Sequence, residues 1–148
     1  MSFGYRYTLR REGDTWRVGF PAIPGAATDA ATPLQARANA QDCLITALMD
    51  TMRRDFPLPR DRATHPSTDH VALPSLVVAK LAVYQRMHEM HWTRAKLAAE
   101  LGVHENAVRR LLDLRHNSHF WVIDEALAKM HASLQIDLPI HPAHKHAA

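Results

Sequence analysis

Residues 95–112 read AKLAAELGVHENAVRRLL. Without Gly102 this run would be a single amphipathic helix, and glycine costs about 1 kcal/mol against alanine inside a helix. Its freedom at positive φ suits a sharp reversal between two helices instead. A first helix then spans roughly 93–100 with Thr93 as its cap, and a second roughly 104–113. Leu97, Leu101, Val103, Val108 and Leu111 fall on the seam between them, and Ala98 sits where they approach most closely. That is the pattern of a helix-turn-helix.

The second helix of such a pair lies in the major groove of DNA. Its outward residues here are His104, Glu105, Asn106, Ala107, Arg109 and Arg110. Asn pairs bidentately with adenine and Arg with guanine, Glu accepts from cytosine, and a small residue such as Ala107 allows close approach or meets a thymine methyl. Arg94, Lys96, Arg115 and His116 flank the pair, where phosphate contacts set orientation. These ten positions are the candidate DNA-binding surface. Glu100, Glu105 and Asp113 dilute its positive field, which predicts specific reading with modest non-specific affinity. The competing reading is a plain helical hairpin with a solvated polar face, and the match at Ala98 and Gly102 speaks against it.

The neighbouring segments are also helical. LPSLVVAKLAVYQRMHEMH (73–91) carries Leu76, Val77, Leu81, Tyr84 and Met87, with Val78 and Val83 off that face, so it is expected to be buried on two sides. Asn117 or Ser118 is placed to cap a last helix in which Phe120, Ile123, Leu127, Met130 and Leu134 form an apolar stripe. Leu134, Ile136, Leu138 and Ile140 alternate, which suggests a short strand or docking arm. Dimer contacts are expected on helix 75–90 and on the final helix or arm, with two recognition helices about 34 Å apart reading an inverted repeat.

Toward the N-terminus, PLPRDRATHPSTDHVALP (57–74) holds four of the nine prolines and no apolar period, and reads as a linker. The chain therefore divides into 1–56, a linker 57–74, a helical part 75–138 and a polar tail 139–148. Phe3, Tyr5, Tyr7 and Leu9 alternate, as do Trp16, Val18 and Phe20, and a turn at Arg11–Asp14 joins the two runs into a hairpin. Residues 26–31 are expected to add a third strand. Thr32 and Pro33 then start a helix to about Arg54, with Leu34, Ala38, Ile45, Leu48 and Met52 on its inner face.

With 148 residues, 47% apolar and 22% charged, the chain can bury a real core. A net charge of +3 and a pI near 9.4 suit an anionic partner, and eleven histidines add positive charge below about pH 6.5. Cys43 is the only cysteine, which excludes an intramolecular disulfide and a thiolate zinc cage, and it reads as a small buried side chain. MSFGYRYTLRREGD has no apolar signal core, and no stretch approaches about 18 apolar residues. A soluble cytoplasmic protein with no membrane contact is expected.

Two motifs together carry a family resemblance. TWRVGFPAIPGAAT (15–28), with Phe20, Pro21, Pro24, Gly25 and Thr28 in place, resembles the N-terminal pattern of the HicB antitoxin family. AKLAAELGVHENAVRRLLDLRHNSH (95–119) resembles the helix-turn-helix carried by one branch of it, and the resemblance spans about residues 3–138. Ala22 stands where the family has an acidic residue, and Ala30 where glycine is frequent. The resemblance implies an α+β chain: a partial ribonuclease-H-like sheet-and-helix domain without nuclease activity, joined to an all-α helix-turn-helix domain. It implies a HicA-type mRNA-cleaving toxin as partner, with Trp16, Phe20, Pro21, Ala22, Pro24 and Gly25 as toxin contacts. It also implies repression of its own operon through operator DNA, by a homodimer or higher homo-oligomer without cofactors.

Rival readings remain. A ribonuclease-H enzyme needs carboxylates converging on two metal ions, and Asp14 in a turn, Asp29 in a loop, and Asp42 and Asp50 eight positions apart on a helix give such a centre no support in the sequence. The chain is therefore expected not to be an enzyme. His88 and His91, with His141, His144 and His146 in the tail, lack metalloprotease spacing and read as solvated, so no metal is expected. A stand-alone helix-turn-helix regulator, with an N-terminal domain sensing a ligand or another protein, is the alternative.

Overall fold

The computed structural model describes residues 3–61 and 70–136. A hairpin forms as the alternation predicts, but its first strand starts at Thr8 and runs through Arg11 and Glu12, which the sequence assigns to the turn. Strands β2 (Thr8–Glu12) and β3 (Thr15–Gly19) form a hairpin in which Glu12 pairs with Thr15 across Gly13 and Asp14, and β4 (Ala27–Ala30) adds to the far side of β3. Tyr5, Tyr7, Val18 and Phe20 are buried and Leu9 and Trp16 half-buried, so one face is the core face. On the other face Arg17 meets Asp29 of β4 at 2.8 Å and Glu12 of β2 at 3.1 Å. Oppositely charged neighbours across all three strands favour this register.

Helix α1 (Pro33–Arg53) starts where expected, with the Thr32 hydroxyl accepting from the Gln35 amide at 3.2 Å. Its buried stripe differs from the expected one. Leu48 and Met52 are buried as expected, but the earlier part of the stripe is Ala36, Ala40 and Leu44, whereas Leu34 is 78% exposed and Ala38 is also exposed. Two alanines in the first turns let the helix lie close to the strands, and a count that favours large side chains picks the wrong phase there.

The first strand, β1 (Tyr5–Arg6), pairs not with the hairpin but with β5 (His70–Val71), inside the stretch read as a linker. The other end of that stretch is also tied down. The Tyr5 hydroxyl donates to the Pro59 carbonyl at 2.8 Å, and Arg6 binds Asp61 through its backbone amide (2.8 Å) and its guanidinium (3.0 Å). The Arg6 hydrogen bond holds the Asp61 carboxyl below the usual aspartate range. Residues 62–69 of the stretch lie outside the described residues.

Helices α2 (Ser75–Glu89), α3 (Arg94–Leu101), α4 (Glu105–Leu112) and α5 (Phe120–Lys129) pack around one another. As expected, α2 is buried on two sides, through Val77, Ala79, Leu81, Val83, Tyr84 and Met87, and its own chain covers both. The core runs on without a break into the sheet-and-α1 part. There the Tyr84 hydroxyl donates to the Phe56 carbonyl at 2.8 Å, and Arg94 Nη2 to the Met52 carbonyl at 3.1 Å. Burial pushes the Tyr84 hydroxyl up to about 12.

In α5, Ile123, Leu127 and Met130 of the expected stripe are buried, while Phe120 is 39% exposed. His119, not Asn117 or Ser118, is the N-cap, and no side chain bonds the first turn. Residues 134–136 form no strand, and Leu138, Ile140 and the polar tail lie outside the described residues.

Helix ends follow a common device. The chains leaving α1, α2, α3 and α5 pass through left-handed residues, namely Asp55 (φ 58°), His91 (φ 54°), Gly102 (φ 66°) and His131 (φ 54°). In each, the next amide reaches back to close the last turn: Phe56 to Thr51, Trp92 to Met87, Val103 to Ala98 and Ala132 to Leu127. Among the described helices α4 alone lacks this closure, because Asp113 after it is extended (φ −75°, ψ 112°).

Candidate functional site

The α3–α4 pair is built as the sequence implies. The Thr93 hydroxyl accepts from the Lys96 amide at 3.1 Å and caps α3. Gly102 then turns the chain, and a Cβ there would meet nothing within 4 Å, so the demand for glycine is torsional rather than steric. Leu97, Ala98, Val108 and Leu111 are buried in the seam and Leu101 is half-buried. Val103 is not in it: the residue is 45% exposed, because the left-handed turn before it carries its side chain away. Leu112 and Leu114 are buried behind α4 as well.

Over this seam α4 presents His104, Glu105, Asn106, Arg109 and Arg110 to solvent, with Ala107 half-buried among them. The four flanking residues behave less uniformly. Lys96 pairs with Glu100 and lies 5.4 Å over the Trp92 ring, and this pairing holds the Glu100 carboxyl low. His116 is exposed. Arg94 is half-buried and bonded to the end of α1. Arg115 Nη2 donates to Asp42 Oδ1 and Thr46 Oγ1 of α1, both at 2.8 Å.

Sequence reasoning missed Lys80. Its side chain, 0% exposed, reaches from α2 to the carbonyls of Asp113 (2.6 Å), His116 (2.6 Å) and Arg110 (3.4 Å) at the end of α4. Burial lowers its pKa, and the nearby Asp113 charge opposes that shift. The signal was present: one lysine inside LVVAKLAV, on a helix apolar on both sides, has no solvated face to occupy.

A second surface lies along α1. Residues 20–26 fold into a tight loop closed by hydrogen bonds from the amides of Phe20 to Ala26 O (3.1 Å), Ile23 to Phe20 O (2.9 Å) and Ala26 to Ile23 O (3.0 Å). Gly25 supplies φ 88°. This loop, β4 and the outer face of α1 enclose an open groove of about 770 Å³, with Asp42, Cys43, Thr46 and Asp50 on the helix side. Burial pushes the Cys43 thiol up, helped by Asp42. Of the six residues expected at a partner surface, Pro24 and Gly25 line the groove. Pro21 is exposed without lining it, Trp16 and Ala22 are half-buried, and Phe20 is buried edge-on to Tyr7, with ring centres 6.5 Å apart.

Three of the other polar candidates, Asp29, Asp50 and His88, have side-chain partners. Asp29 is held by Arg17 and Asp50 by Arg54 at 3.0 Å, and His88 Nε2 lies 2.8 Å from the Tyr84 hydroxyl. Residues 141–146, with the tail histidines, lie outside the described residues.

Comparison with known proteins bears on both surfaces. The family model of the HicB-like antitoxins of bacterial toxin-antitoxin systems matches residues 2–82, which hold the sheet, α1 and the start of α2. Antitoxin HicB 2 of Photorhabdus laumondii is 31% identical over 140 residues, covering 92% of this chain and 98% of its own. An alignment that broad necessarily includes the α3–α4 pair. Antitoxin HicB 1 of the same organism is 32% identical over 101 residues, with 68% of this chain and 64% of its own covered. Antitoxin HicB of Pseudomonas fluorescens is 29% identical over 132 residues, with 88% and 90% covered.

Proposed function

The chain belongs to the HicB-like antitoxins of bacterial toxin-antitoxin systems, and from that premise we propose that it neutralises a small HicA-type mRNA-cleaving toxin and represses its own operon as a helix-turn-helix dimer. The toxin-binding module is residues 1–56, followed by the proline-rich segment 57–74, the DNA-binding and dimerising module 75–138, and the tail 139–148. The chain acts in the cytoplasm and carries out no catalysis itself.

The observation that carries the DNA half is the exposure of His104, Glu105, Asn106, Arg109 and Arg110 on one face of α4, on a short helix whose other side is locked into a core. A helix that holds Asn106, Arg109 and Arg110 outward on a rigid base has the donors that base edges require. The toxin half rests on the family and on the groove beside Pro24 and Gly25. Trp121, 65% exposed, and Phe120 at the start of α5 are the apolar side chains a second copy would cover.

The direct test is co-expression with the small neighbouring open reading frame, followed by light scattering. A stoichiometric complex, together with growth arrest when the neighbour is expressed alone, is the expected result. A lone dimer beside a harmless neighbour would instead favour a stand-alone regulator whose groove senses a ligand. For the DNA half, Arg109→Ala is expected to cost about 1–3 kcal/mol of operator binding and to relax specificity at one base pair. Unchanged affinity in a mobility-shift titration would show that Arg109 faces no base.

A further inference from the structure

We infer that Lys80 is a positioning residue for DNA reading: enclosed between α2 and the end of α4, it fixes the angle at which the α4 face is presented. The inference rests on the DNA-binding reading above. A protonated lysine has three N–H donors, and here three carbonyls receive them, those of Arg110, Asp113 and His116. The first belongs to the last turn of α4, and the other two to the turn that carries Arg115 and His116. One ammonium thus holds the base-facing and the phosphate-facing parts of the surface in a single arrangement.

Two independent observations support this role. First, α4 is the described helix that does not close its own C-terminus through a left-handed residue. Its Arg110 carbonyl accepts from the Asp113 amide at 3.2 Å, and the chain beyond it is tied instead by Lys80, at 2.6 Å to the carbonyls of both Asp113 and His116. A cation at a helix C-terminus also meets the negative end of the helix dipole. Second, the position is fully enclosed among apolar neighbours on α2, such as Ala79 and Leu81. An apolar side chain of similar volume would avoid the cost of desolvating a charge. A buried ammonium here therefore contributes fixed geometry more than stability. Asp113 completes the turn, since its carboxylate accepts from the Arg115 amide at 2.9 Å.

The test uses the full chain and a duplex from upstream of its own gene, with a scrambled duplex as control. Lys80→Met keeps the volume and loses the donors. It is expected to remain folded by circular dichroism and to lose about tenfold or more of the preference for the specific duplex. The salt dependence should become shallower as well, because the released turn no longer holds Arg115 and His116 toward phosphates. Lys80→Arg, which retains donors, is expected to recover part of the preference. Equal preference in wild type and Lys80→Met overturns the inference and leaves the DNA reading intact. Wild-type protein that prefers no upstream duplex overturns both. If Lys80→Met does not fold, hydrogen exchange on the wild type decides. The amides of Asp113, Arg115 and His116, which donate within the turn that Lys80 holds, are expected to be protected well above frayed-end rates, and exchange at frayed-end rates refutes the tie.

Discussion

Replacing Phe20 with alanine is expected to lower the unfolding free energy by about 3–5 kcal/mol, the usual cost of deleting a buried aromatic ring. Phe20 ends the core face of β3, packs edge-on to Tyr7, and lends its own amide and carbonyl to the loop that walls the groove. Its sequence position beside Pro21 suggests a partner contact, but its ring lies in the core. Urea unfolding checks the magnitude. A loss below about 1 kcal/mol would mean that the ring is not core. Pro24→Ala in the same assay should change little, because Pro24 is exposed and its contribution is to the shape of the groove. Weakened partner capture by Pro24→Ala at unchanged stability would separate loop surface from loop foundation.

Leu97→Ala is expected to cost about 2–5 kcal/mol and to abolish operator binding at temperatures where the wild type still binds. Leu97 is fully buried in the seam between α3 and α4, and α3 also packs on α5. A cavity there loosens the surface that must hold Asn106 and Arg109 in register. Thermal melting followed by binding at a temperature below the mutant's midpoint is the check. Full binding by a destabilised mutant would show that α4 keeps its position without the seam.

What could be read from the sequence was mostly local. Gly102, the Thr32-Pro33 start of α1, the Thr93 cap and the Trp16–Phe20 alternation are signals that act within a few residues, and each appears where read. The end of α3 was legible because glycine marks it. The ends of α1 and α2 also lie within a residue of where read, although Asp55 and His91 take up the left-handed geometry without glycine's advantage. Helix α5, by contrast, stops at Lys129, short of Leu134 in its expected stripe, with His131 left-handed after it. The first turns of the inner face of α1 were missed because alanines at 36 and 40 have little weight in a hydrophobic count, yet both are buried, while Leu48 and Met52 were read correctly. The pairing of β1 with β5 and the bond from Arg115 to Asp42 join residues dozens of positions apart, and no local pattern encodes them. At the candidate site the outward face of α4 followed from periodicity, whereas the support beneath it, Lys80, depended on a contact 33 positions away.

Arg115 belongs to two surfaces at once, since it follows α4 and its guanidinium rests on Asp42 and Thr46 in the wall of the groove. A toxin that takes over Asp42 and Thr46 releases that guanidinium, and a phosphate that recruits it releases them. Linkage then requires toxin and operator to change each other's affinity by one common factor. Both partners of the ion pair are largely solvated, and such pairs are worth about 1 kcal/mol at most. Through this contact, toxin would therefore adjust repression by about fivefold at most, a graded coupling rather than a switch.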